Sequence, residues 1–139
     1  MKALSTGIFA LVSLTAIASA DQAKQVKGDK ATELARALKF AGVKPTTAKT
    51  ARTFTAASVS CMSTRAGTDE DLGDYSCTVD KLTVRDAAAL YLQNAMEAAG
   101  IASQDGMSKH KTVANAVKCV IDPSKSPDDR SDCQFSPVM

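Results

Sequence analysis

Shifted against itself by 58 residues, the chain lays residues 34–43 on residues 92–101 so that small, apolar and glycine positions coincide: Leu34 with Leu92, Ala37 with Ala95, Ala41 with Ala99, Gly42 with Gly100. The same offset, without a gap, lays Ala56 on Ala114, Val59 on Val117 and Cys61 on Cys119, and after a two-residue shortening Cys77 meets Cys133. An internal period of this kind governs the fold, because each copy is too small to bury its apolar face alone. Two copies point to a pseudo-symmetric domain rather than a solenoid.

Each copy reads as a helix followed by a hairpin. In the first, Asp29 stands as a cap before Ala31, Leu34, Leu38 and Ala41, which recur at helical spacing, and Gly42 followed by Val43 is a left-handed stop with its apolar follower. In the second, Thr83 with Asp86 predicts a capping box, Leu82 and Ala87 stand at staple positions, and Gly100-Ile101 repeats the stop. Alternation then predicts strands. Thr55, Ala57, Val59 and Cys61 are expected on one face, and Val113, Asn115, Val117, Cys119 and Ile121 on its counterpart; Tyr75, Cys77 and Val79, then Cys133 and Phe135, continue that face. The expected fold is α+β, two tandem helix-hairpin repeats (αββαββ) over residues 29–80 and 83–136. They form a four-stranded antiparallel sheet with helices on one face.

All four cysteines fall on the apolar face. In so small a chain they are expected to form two structural disulfides, and the repeat selects Cys61 with Cys77 and Cys119 with Cys133 from the three possible connectivities. A closed loop of about 15 residues is worth roughly 3 kcal/mol in the chain-entropy model. Intervening stretches of 15, 41 and 13 residues suit neither a Cys-x-x-Cys redox pair nor paired zinc ligands. Lys2, the apolar run over residues 7–17 and Ala18-Ser19-Ala20 together have the order of a secretory leader with its cleavage site, so residues 1–20 are expected to be removed and residues 21–139 to form one domain in the periplasm or outside the cell. That apolar stretch falls short of the roughly 20 residues that span a bilayer.

The charge is uneven. Residues 21–65 hold nine basic and three acidic side chains, residues 66–80 hold five acidic and no basic ones, and residues 81–139 hold seven of each. The basic residues Lys24, Lys27, Lys30, Lys39, Lys44, Lys49 and Arg52 have no interleaved aromatics for base stacking, so they read as a solvated face rather than a nucleic-acid surface. Catalytic patterns are missing. The single histidine, His110, sits in the polar run Ser108-Lys109-His110-Lys111 and reads as an exposed linker residue; no nucleophile elbow, phosphate loop or His-Glu-x-x-His occurs, and no cofactor or metal is implied. The acidic run at residues 69–74 departs from a calcium loop and reads as a hairpin tip.

The expectation is a non-enzymatic protein-binding module, an inhibitor or immunity-type protein that meets a basic secreted or periplasmic hydrolase through two acidic hairpin loops. Its contacts would be Asp69, Glu70, Asp71 and Asp74 in the first loop and Asp128, Asp129 and Arg130 in the second, the two loops forming one bipartite surface. The alternatives are a subunit of a cell-envelope assembly, if the apolar helix over residues 84–99 keeps an exposed face, and a small-ligand carrier, if a pocket lies between helices and sheet.

Overall fold

The computed structural model describes residues 23–64, 74–105 and 109–137; the expected leader and the candidates Asp69, Glu70 and Asp71 lie outside them. In chain order the elements are β1 (Lys24–Lys27), α1 (Asp29–Phe40), β2 (Thr46–Ala48), β3 (Ala51–Thr64), β4 (Tyr75–Val79), β5 (Leu82–Arg85), α2 (Asp86–Ala98), β6 (Gln104–Asp105), β7 (Lys109–Ile121) and β8 (Ser131–Pro137). One antiparallel sheet runs in the order β1-β8-β7-β3-β4-β5, with short β2 on β3 and β6 on β7. The α+β class, the two helices and the two hairpins are as expected. The four-stranded αββαββ plan is not, because each repeat also has a leading strand and a short strand before its long one. The repeated unit therefore begins at β1 and at β5, one strand earlier than residues 29 and 83.

Helix α1 forms because Ala31, Leu34, Ala35, Ala37 and Leu38 make a continuous buried stripe. Its stop is the expected one: Gly42 (φ 106°) follows the last turn, its N–H donates to the Lys39 carbonyl at 3.0 Å, and the Val43 N–H donates to the Leu38 carbonyl at 3.0 Å. Gly100 (φ 100°) and Ile101 close α2 in the same way, on Glu97 and Met96. The starts differ from expectation. Gly28, not Asp29, is the cap of α1, and Asp29 lies inside the first turn, where its charge complements the helix dipole. Thr83 caps nothing: Leu82–Arg85 is a strand on β4, reached through a tight turn in which the N–H of Asp80 (φ 54°) donates to the Ser58 carbonyl and the Asp80 carboxylate accepts the Ser58 N–H, so α2 starts at Asp86.

The long strands change face at their midpoints. Phe54 and Ala56 are buried in the first part of β3, whereas Val59, Cys61 and Ser63 are buried in the second; Ala57 and Ser58, between them, are both exposed. In β7 Thr112 and Ala114 are buried before the break, Val117 and Cys119 after it, and Asn115 and Ala116 are exposed, with Ala116 left-handed at φ 51°. This corrects the expected inward positions Thr55, Ala57, Val113 and Asn115. A strand of 14 residues is about 45 Å long, further than one helix covers, and the break turns each half toward a different helix.

The 58-residue offset is also a symmetry of the strand pairing. Phe54 pairs with Cys119, and adding or subtracting 58 turns that pair into Thr112 with Cys61, which also pair; Ala56 with Val117 becomes Ala114 with Val59 in the same way. A pseudo-two-fold therefore crosses the centre of β3 and β7. It relates the two disulfides, Cys61–Cys77 and Cys119–Cys133, each between directly opposed strand positions. It also relates their surroundings: the Cys77 sulfur lies 3.4 Å from the Ala89 carbonyl oxygen and the Cys133 sulfur 3.4 Å from that of Ala31. Both contacts cross between repeats. β1 pairs with β8, β5 pairs with β4, and each helix packs on the hairpin of the other repeat, so the repeats exchange their leading strand and helix.

Gly28 (φ 81°, ψ −144°) occupies a backbone region almost confined to glycine, and Asp86 (φ 59°) stands at the equivalent position. A Cβ at Gly28 would meet nothing within 4 Å, so the penalty is one of backbone alone. Gly28→Ala is expected to lower the unfolding free energy by about 1–3 kcal/mol, and Asp86→Gly to leave it unchanged or raise it, in denaturant titrations of the oxidised protein. Equal behaviour at the two positions would contradict the assignment.

Candidate functional site

The loop between β7 and β8, residues 122–130, is built on one carboxylate. Asp122 accepts hydrogen bonds from the Ser124 N–H at 3.0 Å, the Ser124 hydroxyl at 2.6 Å and, from the turn between β2 and β3, the Thr50 hydroxyl at 2.8 Å. Its N–H donates to the Arg130 carbonyl at 2.8 Å, which closes the loop, and two further turns run from Asp122 to Lys125 and from Ser126 to Asp129. The hydroxyl and amide donors, the Ser124 hydroxyl foremost, hold the Asp122 carboxyl below its ordinary value.

The candidate contacts in this loop are all exposed but differ in what they touch. Asp128 makes no hydrogen bond or ion pair among the described residues. Asp129 accepts from the Ser126 hydroxyl at 3.2 Å and faces the Lys27 ammonium at 3.8 Å, an exposed pair of little energetic weight. Arg130 bends back to the Lys125 carbonyl at 3.4 Å. Of the first loop, Asp74 is described: its backbone closes the hairpin root against Thr64, whose hydroxyl takes the Asp74 N–H at 2.9 Å.

The two loop roots do not adjoin. Thr64, at the root of the first, pairs with Lys109, and Ile121, at the root of the second, pairs with Arg52, so the roots stand at opposite ends of the central ladder, about 40 Å apart. A pseudo-two-fold perpendicular to two antiparallel strands sends equivalent ends in opposite directions, and the expected single bipartite surface is corrected on that ground.

His110 is also placed differently from expectation. It lies on β7, half-buried, and its Nε2 pairs with the Glu97 carboxylate of α2; the buried Thr112 hydroxyl donates to the same carboxylate at 3.1 Å, and the Gln93 side-chain amide, on the same helix, donates to the His110 carbonyl at 3.2 Å. The group ties α2 to β7. It is an internal polar contact of the second repeat rather than part of a linker.

In the first repeat a cavity of about 420 Å³ opens between α1, β3 and the 122–130 loop. Arg36 and Lys39 of α1, Arg52 of β3 and Arg130 of the loop line it together with Ala35 and Phe54, and Asp29 is the carboxylate at its wall. Arg36 is also held by Glu33 at 3.1 Å, whereas Lys39 and Arg52 have no polar partner among the described residues. Next to it, Phe40 is 60% exposed and its ring lies 6.0 Å from that of Tyr91. The Tyr91 hydroxyl donates to Glu33 at 2.8 Å, and burial first, then that bond, push its pKa up. Tyr91 and Glu33 are equivalent residues of the two repeats and meet where the helices touch.

Composition alone puts Lys39 and Arg52 on a solvated face and gives Arg36 no role. The repeat alignment itself held the signal, since it sets Lys39 on Glu97 and Arg52 on His110. Comparison of the chain with protein-family models, with curated proteins and with solved structures finds no match.

Because the folded-state pKa of Asp122 is lowered, its charged form favours the folded loop. That contribution is complete above the ordinary value of 3.8 and is lost as pH falls through the lower folded value. Protection of the Ser124 and Lys125 amides, relative to their intrinsic exchange rates, is expected to hold at pH 5 and to fall only in stronger acid, while Asp122→Ala lowers it at both. Loss of protection already between pH 7 and 5 in the unsubstituted protein would contradict the role of Asp122.

Proposed function

We propose that the protein is a non-catalytic binding module of the periplasm or the extracellular space, an inhibitor or immunity-type protein that engages a basic hydrolase through its acidic hairpin loops. The observation that carries this reading is the pre-ordered loop over residues 122–130, rooted beside the Cys119–Cys133 bridge and presenting Asp128 to solvent with no internal partner. A loop ordered before contact loses less entropy on binding, and exposed carboxylates speed the approach of a cationic partner. The separation of the loop roots means that each loop engages its own contact. Two disulfides agree with an extracytoplasmic site of action.

A small-ligand carrier is the second reading, favoured by the cavity between α1 and the sheet, whose volume falls within the range of ligand sites. An envelope-assembly role draws less support: the exposed residues of α2 are Asp86, Ala87, Asn94 and Ala98, which form no large apolar stripe.

The test is affinity capture from the secreted or periplasmic fraction of the source organism, with oxidised residues 21–139 as bait. The expected result is recovery of one basic hydrolase, weakened by raising salt from 0.05 to about 0.5 M, where screening shortens to a few ångströms. Neutralising Asp128 and Asp129, or Asp69, Glu70, Asp71 and Asp74, is expected to reduce recovery about tenfold in one of the two variants without a change in thermal midpoint. Undiminished recovery by both variants would contradict the proposal.

A further inference from the structure

The two repeats treat the same place in their fold in opposite ways. In the second repeat the space between helix and long strand is closed by Gln93, which is 2% exposed, by the Glu97–His110 pair and by the buried Thr112. The pseudo-two-fold carries these four positions onto Ala35, Lys39, Arg52 and Phe54. All four line the 420 Å³ cavity of the first repeat. Ala35 in place of Gln93 removes the side chain that fills the space. Lys39 in place of Glu97 replaces an acid facing a base with two bases, so the pair that closes one repeat cannot form in the other.

The surroundings add positive charge. Arg36, which is paired with Glu33, and Arg130 also line the cavity, and Asp29 is the one carboxylate among its described lining residues, so the three cationic side chains with no acidic partner, Lys39, Arg52 and Arg130, stand against one anionic one. Like charges gathered around one cleft repel, and an anion seated between them relieves that repulsion and receives charge-assisted hydrogen bonds from guanidinium groups. Phe54 supplies an apolar wall.

We propose that this cavity binds a small organic oxyanion carrying two negative charges, a phosphate monoester or a dicarboxylate, which takes the place that the Glu97 carboxylate holds in the other repeat. Lys39 and Arg52 bind the charged head, Arg36 and Arg130 stand at its entrance, and the apolar part of the ligand lies along Phe54. The site shares Arg130 and the 122–130 loop with the proposed protein contact, but none of the acidic contact residues lines it.

The test is a titration of the oxidised protein, followed by amide chemical shifts, with phenyl phosphate, phthalate and benzoate as probes. Phenyl phosphate or phthalate is expected to bind saturably, shifting residues 35–39, 52–54 and 127–131 and not the equivalent residues 93–97 and 110–112; the tighter of the two identifies the head group. Benzoate, with one charge, is expected to bind about tenfold more weakly. Lys39→Glu restores the acid-base arrangement of the second repeat, so it is expected to abolish binding while leaving the thermal midpoint equal or higher. Ala35→Gln, which fills the space without changing charge, and Arg52→Gln, which removes a cation, are each expected to weaken binding at least tenfold. Lack of saturable shifts with both doubly charged probes, benzoate binding as tightly as they do, or unchanged affinity in Lys39→Glu would overturn the proposal.

Discussion

The antiparallel ladder between β3 and β7 is the constraint on which the other elements depend. It joins the two repeats across their pseudo-two-fold, and it is the longest pairing in the sheet, from Arg52–Ile121 to Thr64–Lys109. Each hairpin is completed from this ladder outward, β4 by β3 and β8 by β7, and is then pinned by its disulfide one strand from the centre. Because the repeats exchange their leading strand and helix, the buried residues of one repeat meet those of the other. Ala31, Leu34 and Leu38 enter the same core as Cys133 and Phe135, and Ala89, Leu92 and Met96 the same core as Cys61 and Cys77. The apolar area that stabilises such a small protein is thus shared between copies that could not each bury it.

Much of this was legible in residue order. The glycine stops at Gly42 and Gly100 are local, since a left-handed residue followed by an apolar one needs no distant partner to end a helix, and both appear where the sequence places them. The disulfides were legible because the offset that aligns the helices also aligns the cysteines. What was hidden depends on distant partners. The strands β1 and β5 are four residues each, and their pairing is decided by β8 and β4, from the opposite repeat. Thr83 lies in a sequence suited to capping, but pairing with Thr78 in β4 claims its backbone first. The change of face at Ala57–Ser58 and Asn115–Ala116 is set by where two helices meet, and strict alternation cannot announce it.

The candidate sites follow the same division. Exposed acidic loops can be read from composition, yet their distance from one another follows from the antiparallel sense of β3 and β7. The charged cavity is invisible to composition, because Lys39 and Arg52 are one turn of helix and one strand position in a generally basic segment. It emerges only when the repeat is read as three-dimensional symmetry and the two halves are compared position by position. A symmetric frame whose copies carry different chemistry at one equivalent place can devote one copy to internal closure and leave the other open. Here Glu97 and His110 close the second repeat, and Lys39 and Arg52 leave the first without its counter-charge.

The exchange of strand and helix between repeats is tested most directly by dividing the chain between Asp80 and Lys81, in the tight turn that joins them. Fragments 23–80 and 81–137, each oxidised separately, are then followed by sedimentation and amide shift dispersion, alone and mixed. Each fragment has a hairpin without the helix that covers it, so neither is expected to be a folded monomer, and an equimolar mixture is expected to give a one-to-one complex with the spectrum of the intact protein. A folded monomer from either fragment alone would contradict the exchange.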